Sequence, residues 1–532
     1  MTPGLNWTAT AVFVFFMALV AVIGLYAGRW RRGDLAEIEE WGLAGRRFGT
    51  IVTWFLVGGD FYTAYTLIAV PALVYGAGAI GFFALPFTII VYPFVFLVMP
   101  RLWRVSRRHN YITLSDFVHG RYDSHWLALA IAVTGILATI PYIALQLVGI
   151  QVSIAALGFH GSAWSSDVPL IIAFFILAGY DFTSGLRGPA SISFVKAVMV
   201  YAVVLVAVIW VPLKLGGYEH VFQIAGQVLA SRSTRIPLIL PHAQYVPFAT
   251  LALGSALAAF LYPHLITSIL SASSGKVIRR NAVLLPAFTF LLGLIALLGF
   301  VAIAAGIHVT RPDDVVPAMF QQLFPPWFSG FCFAAIAVGA LVPAAIMSIA
   351  CGNLFTRNIY RQYFKNDVTP RQESTIAKVV SLLVKFGALA FVLFGNPTYA
   401  INLQLLGGIW ILQTLPAAVF GLFSRWFHRG ALFAGWAVGM IVGSGMAWAE
   451  QMRTAVYPLK FHGMTISSYA AIDALVINII VAAVLTPALN AIGVDAGADE
   501  TVPSDYSTDP GEEDSDRPGK IAGAVPASEG AN

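Results

Sequence analysis

Asp60 lies in the segment Gly58–Pro71, GGDFYTAYTLIAVP, inside one long apolar run. An ionised side chain at bilayer depth is costly, so it ordinarily faces a partner, a cavity or an ion. The glycine pair Gly58 and Gly59 before it and Pro71 after it weaken the helix on both sides. Hydroxyls at Tyr62, Thr63, Tyr65 and Thr66, with unwound backbone carbonyls, are hard oxygen donors. They suit a small cation or the polar groups of a solute. The plainer reading is an aspartate that caps a helix break or holds an arginine at the cytoplasmic face. The cost of an idle buried carboxylate favours the functional one.

Other polar groups stand in equally apolar surroundings. Pro263 and His264 sit mid-span in FLYPHLITS, where proline frees a carbonyl and histidine can donate to a carboxylate or shuttle a proton. A lone helical histidine also serves as an interhelical hydrogen bond. In PAAIMSIACGNLF, Ala344, Ala345 and Ser348 are small enough for close backbone approach, and Ser348 has its own backbone as an alternative partner. Lys196 follows Ser193 by one turn in GLRGPASISFVKAVMV. It lies about 9 Å from the inner end of its span by helical rise, so it either snorkels to the headgroups or titrates in a dry site. Tyr142 with Gln146, and Gln404 with Gln413, either line a cavity or tie helices together.

The elements that position these groups are membrane helices. The chain has 532 residues, 58% hydrophobic and 11% charged, with a mean hydropathy of +0.78, which a bilayer accepts and water does not. Apolar stretches predict thirteen spans: 7–27, 51–76, 79–100, 126–157, 168–184, 190–213, 246–271, 283–306, 330–352, 375–395, 400–423, 431–449 and 470–490. Loops assigned alternately to the cytoplasm hold 20 basic residues against five outside. This bias puts the N-terminus outside and, with an odd number of spans, the C-terminus inside. The segments around 216–245 and 307–329 have room for short surface helices. Residues 491–532 carry ten acids against Arg517 and Lys520, leaving 29 basic and 16 acidic residues in the body. That basic excess marks cytoplasmic loops rather than nucleic-acid binding. The tail, poor in large apolar residues, is expected to be disordered. Cys332 and Cys351 lie about 28 Å apart on one helix and cannot pair. There is no metal-ligand spacing, no clustered nucleophile or acid–base pair, and no pattern that fixes an oligomeric state, so neither an enzyme nor an organic cofactor is expected.

Seven segments together resemble the sodium:solute symporter family, and within it the bacterial monocarboxylate permeases: GLAGRRFG, WFLVGGDFYTAYTLIAVPALVYG, ITLSDFVHGRY, PYIALQLVGIQ, LALGSAL with FLYPHLITS, VPAAIMSIACGNLFTRNIY and INLQLLGGIWILQTLPA. The resemblance runs from about residue 5 to 490. It implies an all-α LeuT-type fold, a five-plus-five inverted repeat over about 51–213 and 246–423, whose broken lead helices carry Asp60 and His264. It also implies a cation site made of carbonyls from Gly58 or Gly59 and from Phe61 or Tyr62, with Ala345 and Ser348. Asp60 lies beside that site. Two spans depart from the family, at three positions. Ile349 stands where a second hydroxyl is usual, and Ser193 and Lys196 stand where relatives have aspartate and glutamine. Both changes disfavour sodium.

The expectation is therefore a symporter in a bacterial inner membrane. It would import a pyruvate- or lactate-like monocarboxylate with H+ or Na+, and Lys196 with Ser193 would be the proton-coupling candidates. Substrate would be lined by Thr63, Tyr65, Thr66, Tyr142, Gln146, Tyr262, His264, Gln404 and Gln413. The alternatives are a sodium symporter for an amino acid, sugar or vitamin, and a membrane sensor, for which a tail of about forty residues is too short to form a signalling domain.

Overall fold

A computed structural model describes residues 5–29, 33–159, 163–232, 236–394, 400–461, 464–507 and 509. The described chain is almost entirely helical. The amino-terminal half runs through α1 (Trp7–Ala27), α2 (Ile38–Leu43), α3 (Thr50–Phe61), α4 (Val70–Ala77), α5 (Ala84–Arg108), α6 (Leu114–Tyr122), α7 (His125–Ala156), α8 (Ala163–Ser184) and α9 (Arg187–Lys214). The surface helix α10 (Tyr218–Ser231) leads to α11 (Tyr245–Ala259), α12 (Pro263–Leu270), α13 (Gly275–Leu284), α14 (Pro286–Ala304) and a second surface helix, α15 (Val315–Leu323). There follow α16 (Pro326–Phe355), α17 (Pro370–Phe394), α18 (Ile401–Ile411), the short α19 (Gly421–Phe423), α20 (Arg429–Ala449) and α21 (Ala470–Ala491). The two surface helices occupy the segments in which the sequence left room for them.

Among the described residues, eight helices are long and apolar enough to cross a membrane, or ten if each of two bent pairs counts as one span. Their outer faces leave Phe15, Leu97, Val198, Ile209, Ile441 and Ile480 exposed, as suits contact with lipid. Inside, α16 is the hub: every residue from Cys332 to Leu354 is buried, against α1, α7, α9, α12 and α17. Its small residues allow that crowding. At Gly352, for example, any side chain would run into the Ala377 backbone.

Helix starts follow capping chemistry. Thr113 and Asp116 form a reciprocal box at the start of α6, Thr113 Oγ1 accepting from Asp116 N at 3.0 Å and Asp116 Oδ2 from Thr113 N at 3.1 Å. Ser274 accepts from Val277 N at 3.2 Å to open α13. An antiparallel pair of strands between α20 and α21, β1 (Val456–Phe461) with β2 (Met464–Tyr469), has no counterpart in the apolar pattern of the sequence. It ends at Tyr469, which is buried and donates to the Leu405 carbonyl at 2.6 Å.

The acidic tail departs from the expected disorder over its first part. Residues 491–507 and 509 are placed, and Tyr506 is buried. Asp495 pairs with Arg429 at 2.6 Å, and Asp499 lies 3.1 Å from both Arg121 and Arg425. Asp509 binds Arg104 at 2.6 Å and accepts from Gly275 N, at the start of α13, at 3.1 Å. Residues 508 and 510–532 lie outside the described residues. A disorder argument from apolar burial alone overlooks this. The body's excess of arginine offers the tail's carboxylates an ionic surface, and the strap that forms ties α5 and α6 to α13 and to the loop before α20. Burial opposes the ionisation of Asp505. The hydrogen bond with His109 (2.9 Å), the backbone N–H of Val502 and the charges of His109 and Arg108 outweigh it, and hold that carboxyl below its usual range.

Candidate functional site

The first break follows α3. Tyr62 leaves the helical region (φ −90°, ψ 85°), and one π-helical turn, Tyr65–Ala69, rejoins the chain to α4. Each glycine before the break admits a neighbour. A Cβ on Gly58 would overlap the Phe288 ring of α14, and one on Gly59 would lie 3.3 Å from Ser193 Oγ on α9. Unwinding releases backbone groups, and side chains take them up. Ala64 N donates to Gln146 Oε1 at 3.0 Å, Tyr65 N to Thr63 Oγ1 at 3.0 Å, and the Thr66 hydroxyl to the Phe61 carbonyl. Lys196 Nζ donates to the Gly59 carbonyl at 2.5 Å. The ammonium thus meets one of the carbonyls that the sequence assigned to a cation.

The second break lies between α11 and α12, which meet at 48°. Tyr262 is extended there (φ −60°, ψ 134°), and Pro263 opens α12 at the position where its missing N–H costs nothing. The two breaks are joined directly, because Ser268 of α12 donates to Asp60 Oδ2 at 2.8 Å. Asp60 and Lys196 thus flank the first break, one bonded to Ser268 and the other to the Gly59 carbonyl. Both side chains are buried, and Asp60 Oδ1 has no hydrogen-bond partner among the described residues.

Beside the breaks is a small cavity whose polar lining comes from Asp60, Tyr65, Thr66, Thr88, Tyr142, Tyr262 and Gln404, between apolar walls that include Phe61, Phe87, Leu265 and Leu292. Tyr142, Tyr262 and His264 form an aromatic cluster with ring centroids 5.2–5.6 Å apart. Both ring nitrogens of His264, and Gln404 Oε1, are buried without partners among the described residues. Tyr262 donates to the Gln404 carbonyl at 2.9 Å. His264 stands beside this cavity rather than in its lining, and the donors and acceptors together are of the kind that orients a small polar solute.

Not every residue singled out from the sequence reaches this space. The Tyr62 hydroxyl turns outward to the Phe288 carbonyl. Gln413 is spent on helix packing: it donates to the Ile409 and Ala471 carbonyls at 3.0 and 3.3 Å and receives Asn478. Ser193 donates to the Pro189 carbonyl one turn back at 2.8 Å. Ser348 reaches the Ala345 carbonyl at 2.8 Å and Asp181 Oδ2 at 3.2 Å, so its bonds are made with α16 itself and with α8. Sequence reasoning missed Ser268, Asp181 and Lys385. For the last two a signal existed, since each is ionisable and lies within a stretch marked as a span.

The sodium:solute symporter family model matches residues 41–443. A monocarboxylate transport permease protein of Rhizobium johnstonii is 54% identical over 92% of this chain and 99% of its own length. An uncharacterised symporter of Bacillus subtilis, YodF, is 33% identical over 82% of this chain and 87% of its own. In structure, the chain is similar to a Na+-coupled sialic acid symporter in a substrate-bound, outward-open state, with a TM-score of 0.71, 16% identity and coverage of 91% and 98% of the two chains.

Proposed function

Because the chain belongs to the sodium:solute symporter family, we propose that it imports a small monocarboxylate of the pyruvate or lactate kind, with a proton as the coupling ion. The substrate class rests on the permease relative, which matches nearly its whole length. The ion rests on one observation, the Lys196 ammonium on the Gly59 carbonyl at the first break. A tethered cation there takes a place that a symporter otherwise gives to a metal ion.

Charge balance supports the same reading. An ionised Asp60 and a protonated Lys196 leave the site neutral. A carboxylate substrate adds a negative charge in a dry cavity, where an uncompensated charge is strongly disfavoured. One proton taken up by the Asp60–Lys196 pair with each substrate restores neutrality, and loss of the Lys196 proton on the cytoplasmic side then releases the solute. The unpartnered nitrogens of His264 and Oε1 of Gln404 are the groups we assign to the substrate's carboxylate and carbonyl oxygens, with Tyr65, Thr66, Tyr142 and Tyr262 around them. Thr63 and Gln146 hold the break open by binding its backbone.

We further assign thirteen spans, N-terminus outside and C-terminus inside, in a bacterial inner membrane. The helical run Tyr65–Arg108 has 44 residues, about 66 Å at 1.5 Å per residue and twice a bilayer core, so it counts as parts of two spans that meet at Gly78, whose φ is +75°. A second reading, sodium coupling at another site, is favoured by the Na+ coupling of the structural neighbour. The substrate class is tested by competing the uptake of labelled pyruvate into proteoliposomes with unlabelled solutes. Lactate and other short monocarboxylates are expected to compete. Competition by proline or a hexose in their place refutes the assignment.

A further inference from the structure

A second buried charge cluster lies apart from the two breaks. Asp181, near the C-terminal end of α8, is completely buried. Its Oδ2 lies 3.2 Å from Ser348 Oγ of α16 and 3.2 Å from Ser381 Oγ of α17, and accepts from Lys385 Nζ, also on α17. Lys385 Nζ lies 3.0 Å from Ser381 Oγ as well. Ser348 has one hydroxyl proton for two acceptors, Asp181 Oδ2 and the Ala345 carbonyl at 2.8 Å. Asp181 Oδ1 has no hydrogen-bond partner among the described residues.

The Lys385 ammonium thus meets two oxygens, Asp181 Oδ2 and Ser381 Oγ, while Ser348 Oγ and, through it, the Ala345 carbonyl adjoin the same carboxylate. Carboxylate, hydroxyl and carbonyl oxygens are the hard donors that a hard cation takes up. Lys385 reaches its two oxygens from α17. An ion pair serving only to fasten α8 to α17 would need no hydroxyl from α16, yet Ser348 is drawn in.

We propose that Asp181, Ser348, Ser381 and the Ala345 carbonyl form an oxygen-lined cation site whose resident cation is the Lys385 ammonium. Lys385 thereby keeps sodium off the oxygens of α16. It acts as a specificity-determining residue, whichever ion Lys196 couples, so this assignment stands or falls separately from the proton reading above.

The test measures the thermal unfolding of the purified full-length protein in detergent, in sodium chloride against choline chloride at equal ionic strength. The wild type is expected to show no sodium shift that depends on Asp181. Lys385→Met is expected to gain a saturable, sodium-specific rise in Tm, and the Asp181→Asn/Lys385→Met double variant to lose it. Lys385→Gln gives the same reading should the methionine variant not purify. Single variants that fold only in sodium also support the proposal. Equal Tm values in the two salts, a rise that persists in the double variant, or failure to fold in either salt overturn it. A wild-type sodium shift abolished by Asp181→Asn overturns it too, since sodium would then occupy the place given to the ammonium.

Discussion

Replacing Lys196 with methionine keeps the reach of the side chain and removes its charge. The Gly59 carbonyl then loses its 2.5 Å donor and Asp60 loses its neighbouring cation, with Ser268 left as its donor at 2.8 Å. Breaking a buried charge pair by deleting one partner costs about 3–5 kcal/mol, whereas replacing both with neutral groups of similar volume is close to neutral. No ion pair joins Asp60 and Lys196, so the lower end of that range is an upper bound and Lys196→Met is expected to destabilise by at most about 3 kcal/mol. Adding Asp60→Asn relieves the stranded carboxylate and leaves a net loss of about 1 kcal/mol for the hydrogen bond to Gly59. Chemical and thermal unfolding of the four proteins closes a double-mutant cycle. A double variant as unstable as the sum of the two single ones refutes the idea that these charges stabilise each other.

Gly407→Ala places a methyl group 2.5 Å from the Ala138 carbonyl oxygen and 2.7 Å from the Tyr262 hydroxyl. It should cost about 1–3 kcal/mol by overpacking and lower pyruvate uptake by disturbing Tyr262, which paired stability and transport assays check. Asp509→Asn removes the partner of Arg104, both side chains being nearly buried, and should cost about 3 kcal/mol in chemical unfolding, with little salt dependence. Because the folded state depresses the Asp505 carboxyl, its contribution is complete above the unfolded value of about 3.9 and is lost as pH falls through the lower, folded one. Hydrogen exchange of the tail peptide 497–507 should therefore stay protected at neutral pH and rise below pH ~4, and Asp505→Asn should remove that step.

Much of this molecule is legible in the sequence because lipid makes polar groups conspicuous. Asp60, Lys196 and His264 were found by the cost of burying them, and all three cluster at the two helix breaks that glycine and proline announce. The same rule applied to every span would also have found Asp181 and Lys385. Ser268 was not legible, since a membrane serine ordinarily bonds its own backbone, and only the crossing of α3 with α12 aims it at Asp60. Tyr62 and Gln413 show the reverse: the hydroxyl and amide are polar and well spaced, but helix rotation turns both into packing. The strand pair at 456–461 and 464–469 is short and lies between helices, so span counting passes over it. The strap over 491–507 and 509 was missed because its order rests on arginines far away in sequence.

The chain is expected to move a proton, not a sodium ion, with its carboxylate. Labelled pyruvate uptake into proteoliposomes, with sodium and proton gradients imposed independently, tests it most directly. An inward proton gradient of one unit, without sodium, should drive about tenfold accumulation for one proton per carboxylate. The membrane potential should have no effect, and Lys196→Gln should abolish accumulation. Accumulation driven by a sodium gradient alone, at equal pH on both sides, contradicts the account.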